Sequence, residues 1–88
     1  MPEKLTLNDG TVLENSSAIL SSDLFVYIHD SDLQTVLDLL IDPENTKKII
    51  YTQVNGESVT FVGYKKLRAM TDEGNGLITA VLRKEVTE

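Results

Sequence analysis

The sequence predicts an α+β domain in which mostly antiparallel β-sheet, open or curled into a barrel-like form, carries a single amphipathic helix packed on one face. Three observations predict it. One capped apolar stripe with helical spacing lies near the middle of the chain. An Asn-Gly pair sits between two β-rich arms. Short apolar segments punctuated by turn residues fill the rest. At 88 residues there is room for one domain, residues 1–88, and one core.

The elements follow in order. Leu5-Thr6-Leu7 and Thr11-Val12-Leu13 flank Asn8-Asp9-Gly10, and Asp-Gly supplies the positive φ angles of a tight primed turn, so a hairpin is expected. Glu14-Asn15-Ser16-Ser17 reads as a second turn, Ala18-Ile19-Leu20 as a short apolar piece, and Ser21-Ser22-Asp23 as a break. Leu24-Phe25-Val26-Tyr27-Ile28 is a continuous run of large residues, expected to form a central strand buried on both faces.

Ser31 and Gln34 have capping-box spacing, and Asp32 adds negative charge at the helix start. Leu33, Val36, Leu37 and Leu40 then form one stripe, widened by Leu39 and Ile41, until Asp42-Pro43 stops the helix. Beyond it, Ile49–Val54 and Glu57–Val62 flank Asn55-Gly56. A two-residue turn would set Val54 against Glu57, Thr52 against Val59 and Ile50 against Phe61. The helix stripe would then cover Ile50, Val59 and Phe61, with Leu24–Ile28 completing the core. Gly63 ends that pairing or marks a bulge, and Tyr64–Thr71 and Leu77–Lys84 supply two final strands around Asp72-Glu73-Gly74-Asn75-Gly76. The sequence shows no internal repeat.

Charge is unevenly placed. The net value is −6. Residues 1–44 hold nine acidic side chains and one basic, Lys4, whereas residues 45–88 hold five acidic and seven basic. An acidic chain disfavours general nucleic-acid binding, which phosphate neutralisation drives. The asymmetry suits protein partners or self-association, an acidic surface of one copy meeting a basic surface of another, if halves in sequence are also halves in space. No cysteine is present, which excludes disulfides, thiolate metal sites and a cysteine nucleophile. The Met-Pro-Glu-Lys-Leu start has no signal-peptide character, and no apolar run approaches the roughly 20 residues that span a bilayer, so no membrane association is expected.

Candidate chemistry is sparse. His29-Asp30-Ser31-Asp32 brings the single histidine beside carboxylates, yet helix-start electrostatics explain the aspartates and one histidine gives a metal one nitrogen ligand. Asp72-Glu73-Gly74-Asn75-Gly76 lacks the ligand spacing of a calcium loop and reads as a polar hairpin loop. No catalytic residue, cofactor or metal site is expected, and the chain is read as non-enzymatic. One interaction surface stands out: Lys65, Lys66, Arg68, Arg83 and Lys84 fall on two strands that can be neighbours, with Tyr64 and Tyr51 near. Such a strand face could meet single-stranded nucleic acid or an acidic partner, although lysine also protects sheet edges.

The stretches Leu5–Thr11, Asp42–Ile49 and Phe61–Leu67 resemble small proteins encoded by tailed phages and prophages of Gram-positive bacteria, often near tail genes. The resemblance spans most of the chain as a pattern of apolar and turn residues. It implies a structural or assembly protein acting through protein–protein contacts, cytoplasmic or virion-associated, and assigns no functional residue.

Overall fold

The computed structural model describes residues 3–29 and 32–84. Among the described residues, eight strands and one helix run in the order β1 (Lys4–Thr6), β2 (Val12–Glu14), β3 (Ser16–Leu20), β4 (Leu24–His29), α1 (Leu33–Ile41), β5 (Lys48–Thr52), β6 (Ser58–Val62), β7 (Tyr64–Asp72) and β8 (Leu77–Lys84). They form two four-stranded antiparallel sheets. Sheet I has the order β2-β1-β5-β6 and sheet II the order β3-β4-β8-β7, and neither closes into a barrel.

The hairpins form as expected, but their turns differ. In the first, the Gly10 N–H donates to the Leu7 carbonyl at 3.0 Å and the Leu7 N–H to the Thr11 carbonyl at 2.8 Å. The second repeats this: Gly56 N–H to the Gln53 carbonyl at 2.9 Å, and Gln53 N–H to the Glu57 carbonyl at 2.8 Å. Each is therefore a three-residue loop closed by a glycine at positive φ, Gly10 at 93° and Gly56 at 90°, and not a two-residue primed turn. The preceding side chain completes each loop: Asp9 Oδ1 accepts from the Thr11 N–H, and Asn55 Oδ1 from the Glu57 N–H, both at 2.9 Å.

The extra loop residue moves the register by one. Ile49 lies opposite Phe61, Ile50 opposite Thr60 and Tyr51 opposite Val59. A one-residue slip exchanges the faces of a strand. It is thus Ile49 that is buried with Phe61, while Ile50 turns to the outer side of sheet I beside Thr60.

Of the passages between the sheets, that from β4 to β5 runs through α1 and two others turn on single residues. Asn15, at φ 57°, separates β2 from β3, and Gly63, at φ 83°, separates β6 from β7. Their backbone neighbours lock these corners. The Asn15 carbonyl accepts from the His29 N–H, and the Gly63 N–H donates to the Lys47 carbonyl at 2.8 Å. Ser16 and Ser17, expected in a turn, instead open β3. Ser16 is buried, and its hydroxyl donates to the Glu14 carbonyl at 3.2 Å, which removes the cost of enclosing it.

The strand order has an approximate two-fold symmetry that the sequence does not show. With Asp9-Gly10 laid on Asn55-Gly56, the pairs Lys4–Glu14, Leu5–Leu13 and Thr6–Val12 fall on Ile50–Thr60, Tyr51–Val59 and Thr52–Ser58. Under the same overlay the β1–β5 ladder maps onto itself about its central pair, Leu5–Tyr51. Each sheet therefore takes one hairpin from either side of α1. The acidic first half and the basic second half of the sequence are interleaved in space, not segregated.

Both inner faces contribute to one hydrophobic core: Leu5, Leu13, Ile49 and Phe61 from sheet I, Leu24, Val26, Ile28, Ile78, Ala80 and Leu82 from sheet II, and Val36 and Leu40 from α1. The helix is capped by Asp32, whose side chain accepts from the Thr35 N–H at 3.2 Å; the expected cap, Ser31, lies outside the described residues. Gln34 reaches forward to Asp38 at 3.0 Å. The stripe is narrower than expected, with Val36 and Leu40 buried, Leu33, Leu37 and Leu39 half-buried and Ile41 exposed. Its principal strand neighbour is β7, not the β5–β6 hairpin. The sheets approach each other at β1 and β3, and α1 fills the side where β7 stands free.

Candidate functional site: the basic end and outer face of sheet II

β7 is an edge strand and β8 its inner neighbour. Their register sets Lys65 opposite Arg83, Lys66 opposite Leu82 and Tyr64 opposite Lys84; an irregularity at Leu67 then brings Arg68 opposite Val81. Leu82 points into the core, so its flanking residues point out. Lys65, Arg68 and Arg83 therefore share the outer face, whereas Lys66 and Lys84 lie on the inner side of the strand pair at its open end. Lys65, Lys66, Leu67, Arg83 and Lys84 line an open depression of about 260 Å³. The structure thus brings four of the five expected basic residues around one hollow and leaves Arg68 just past the irregularity, on the outer face.

Like charges directly across a ladder repel, and the Lys65–Arg83 pair is tolerated partly through Asp23. Arg83 Nε lies 3.1 Å from Asp23 Oδ1, and Nη2 lies 3.4 Å from Oδ2. Hydrogen bonding to Asp23, then its charge, raises the Arg83 pKa above the usual arginine value. Asp23 belongs to the acidic half of the sequence and meets the basic half here.

The aromatic partners expected for this surface are not Tyr64 and Tyr51. Tyr64 packs edge-on against Phe61, with ring centroids 5.9 Å apart, and leans on the core. Tyr51 also packs on the core, and its hydroxyl donates to the Glu3 carboxylate. The aromatics that share the outer face are Phe25 and Tyr27 of β4. Leu24, Val26 and Ile28 alternate with them and are fully buried, so Phe25 and Tyr27 point away from the core and stay half-buried. β4 is thus an interior strand with one buried face, not two. Across sheet II the outer row reads Ile19, Phe25, Val81, Arg68, and the next Ser17, Tyr27, Thr79, Met70. Val81 is only 3% exposed although it lies outside the core cluster. Ile19 and Met70, at the two margins, are 56% and 62% exposed.

The remaining candidates separate. His29 is exposed at the end of β4, Asp32 caps α1, and Asp30 and Ser31 lie outside the described residues. Among the described residues no three His, Asp or Glu side chains converge as metal ligands. The Asp72–Gly76 segment is a hairpin loop in which Asn75 Nδ2 donates to Asp72 Oδ2 at 2.7 Å. No helix among the described residues is long and apolar enough to cross a membrane. No family model, characterised protein or solved structure matches the chain. None of these comparisons supports the resemblance to tail-region phage proteins.

Proposed function

We propose that the chain is a non-enzymatic contact module whose basic end of sheet II docks an anionic partner surface. The observation that carries this reading is the gathering of Lys65, Lys66, Arg83 and Lys84 around one depression in a chain of net charge −6. Of these cations, only Arg83 has a carboxylate partner among the described residues. Bulk charge does not create such a cluster; it is built by the β7–β8 register, which sets two cations face to face. Lysine stems can line apolar contact area while their heads stay hydrated, so the depression offers both grip and charge.

The resemblance to phage and prophage proteins supports a place in particle assembly, where the anionic surface would be a neighbouring protein subunit. Contact between unlike surfaces closes into rings or extends into filaments according to the rotation it imposes.

Retention on an immobilised polyanion tests the docking surface. Wild-type protein is expected to bind polyglutamate or heparin at low salt and to elute as salt rises, because exposed charges are screened over about 10 Å at 0.1 M. Lys65→Glu with Lys84→Glu, both exposed positions, should abolish retention without lowering the melting temperature. Wild-type protein that passes straight through such a column at low salt would contradict the proposal.

A further inference from the structure

The basic end runs onto an aromatic face, and the combination narrows the partner. We infer that the outer face of sheet II binds single-stranded nucleic acid, with bases stacked on Phe25 and Tyr27 and the phosphate backbone held by Lys65, Arg68 and Arg83. This rests on the basic docking surface proposed above and assigns it a nucleic-acid strand in place of the neighbouring protein subunit.

The first support is spacing. Phe25 and Tyr27 are two residues apart on one face of an interior strand, which sets their Cα atoms about 7 Å apart along the strand. That leaves room for two neighbouring bases, each on its own ring. A four-stranded antiparallel sheet with an open aromatic face is a general platform for unpaired bases, since every base has a π-face to stack. The second support is the chemistry beside the rings. Arg68 lies across Val81 from Phe25, and Arg83 and Lys65 occupy the adjoining row. The margins, Ile19 and Met70, are exposed and apolar and can take the edges of further bases.

The third support is the placement of the acids. Of the carboxylates near this face, Asp23 is paired with Arg83, and Asp72 stands at the far end of the ladder opposite Leu77. Asp9 and Glu57 sit on the hairpin loops of sheet I, and Asp32, Asp38, Asp42 and Glu44 on and just beyond α1. Within the described strands of sheet II the one carboxylate is Asp72, so the cations of this face meet no other acid on its own strands. An acidic protein surface could answer the cations, but it would make no particular use of the two rings.

Fluorescence anisotropy with a labelled oligothymidylate of about 12 nucleotides, within the span of known single-strand sites, tests the inference. Binding is expected to weaken with salt at a log–log slope of about −2, from three phosphate contacts. A duplex of equal length should bind at least about 10-fold more weakly, because its bases are not free to stack. Phe25→Leu keeps apolar cover over Val81 but removes the ring, and should weaken binding about 10-fold while leaving retention on polyglutamate unchanged. Arg68→Glu, at an exposed site, should weaken it further with no loss of fold. If the oligonucleotide binds no better than polyglutamate and Phe25→Leu has no effect, the nucleic-acid inference is overturned while anionic docking stands. If neither ligand binds at low salt, both are overturned.

Discussion

Gly63 carries the chain from sheet I to sheet II, and replacing it with alanine measures how much that corner costs. Its φ is 83°, and a Cβ added there would meet no atom within 4 Å. Any loss must therefore come from the backbone and not from a clash. Holding an L-residue in the left-handed region costs about 1–2 kcal/mol. Alanine also removes some freedom from the unfolded chain, which returns about 0.4–1 kcal/mol. The net expectation for Gly63→Ala is a loss of about 1 kcal/mol. In a chain of this size that lowers the melting temperature by about 4–8 °C. Gly74→Ala is the internal control: Gly74 is not at positive φ, and its added Cβ would make an ordinary 3.5 Å contact with Asp72 Oδ1. That variant should be neutral or slightly more stable. Asn15→Gly, at the other corner, should likewise gain or hold stability, since its φ of 57° suits glycine. Thermal and urea unfolding of the three variants read the comparison directly. Gly63→Ala as harmless as Gly74→Ala would refute the assignment of Gly63 as a strained corner.

The helix supplies two further predictions. Leu40 is 1% exposed in the core and Leu37 is half-buried, so Leu40→Ala should cost about 2–5 kcal/mol in urea unfolding and Leu37→Ala clearly less; equal losses would contradict the orientation of α1. The Thr35 hydroxyl, then the Thr35 N–H, hold the Asp32 carboxyl below the usual carboxylate range. A lowered folded-state pKa gives stability that is complete above the unfolded value near 4 and disappears as pH falls through the lower folded value. Asp32→Ala should therefore lower the melting temperature at neutral pH, and the difference from wild type should close in acid. A difference that persists undiminished at about pH 2 would rule out the cap.

Much of the secondary structure was legible because hydrophobic period and turn residues agree. The helix and its end at Asp42-Pro43, the β4 run, the Asp-Gly and Asn-Gly hairpins and the last two strands could all be read from the chain. What escaped has local physical causes. Asn-Gly permits either a two-residue primed turn or a three-residue loop in which glycine alone takes positive φ. The strand beside it could not arbitrate, because Ile49 and Ile50 are the same residue and either could face the core. β3 was hidden behind Ser16-Ser17, whose polar character signals a turn although one serine is buried and bonded. Two of the passages between sheets rest on the φ of one residue each, Asn15 and Gly63, which no periodicity reports. The two-fold strand order is equally invisible, since only the hairpin turns share chemistry between the halves.

The basic cluster was legible as composition, whereas its aromatic companions were not. Tyr64 and Tyr51 are near the lysines in sequence or by hairpin, but both lean on the core. Phe25 and Tyr27 lie some forty residues earlier in the chain and join Arg68 and Arg83 only through the β4–β8–β7 ladder. A run of five large residues hides the alternation that would have announced an exposed face.

Residue-resolved mapping of the contact decides whether the outer face of sheet II binds nucleic acid. Backbone amide NMR spectra of the folded protein, recorded during titration with oligothymidylate at low salt, should shift at Phe25, Tyr27, Lys65, Arg68 and Val81. The Asp9 and Asn55 loops and α1 should stay unmoved. Perturbations confined to α1 or to those loops, or none at all, would show that this face does not bind.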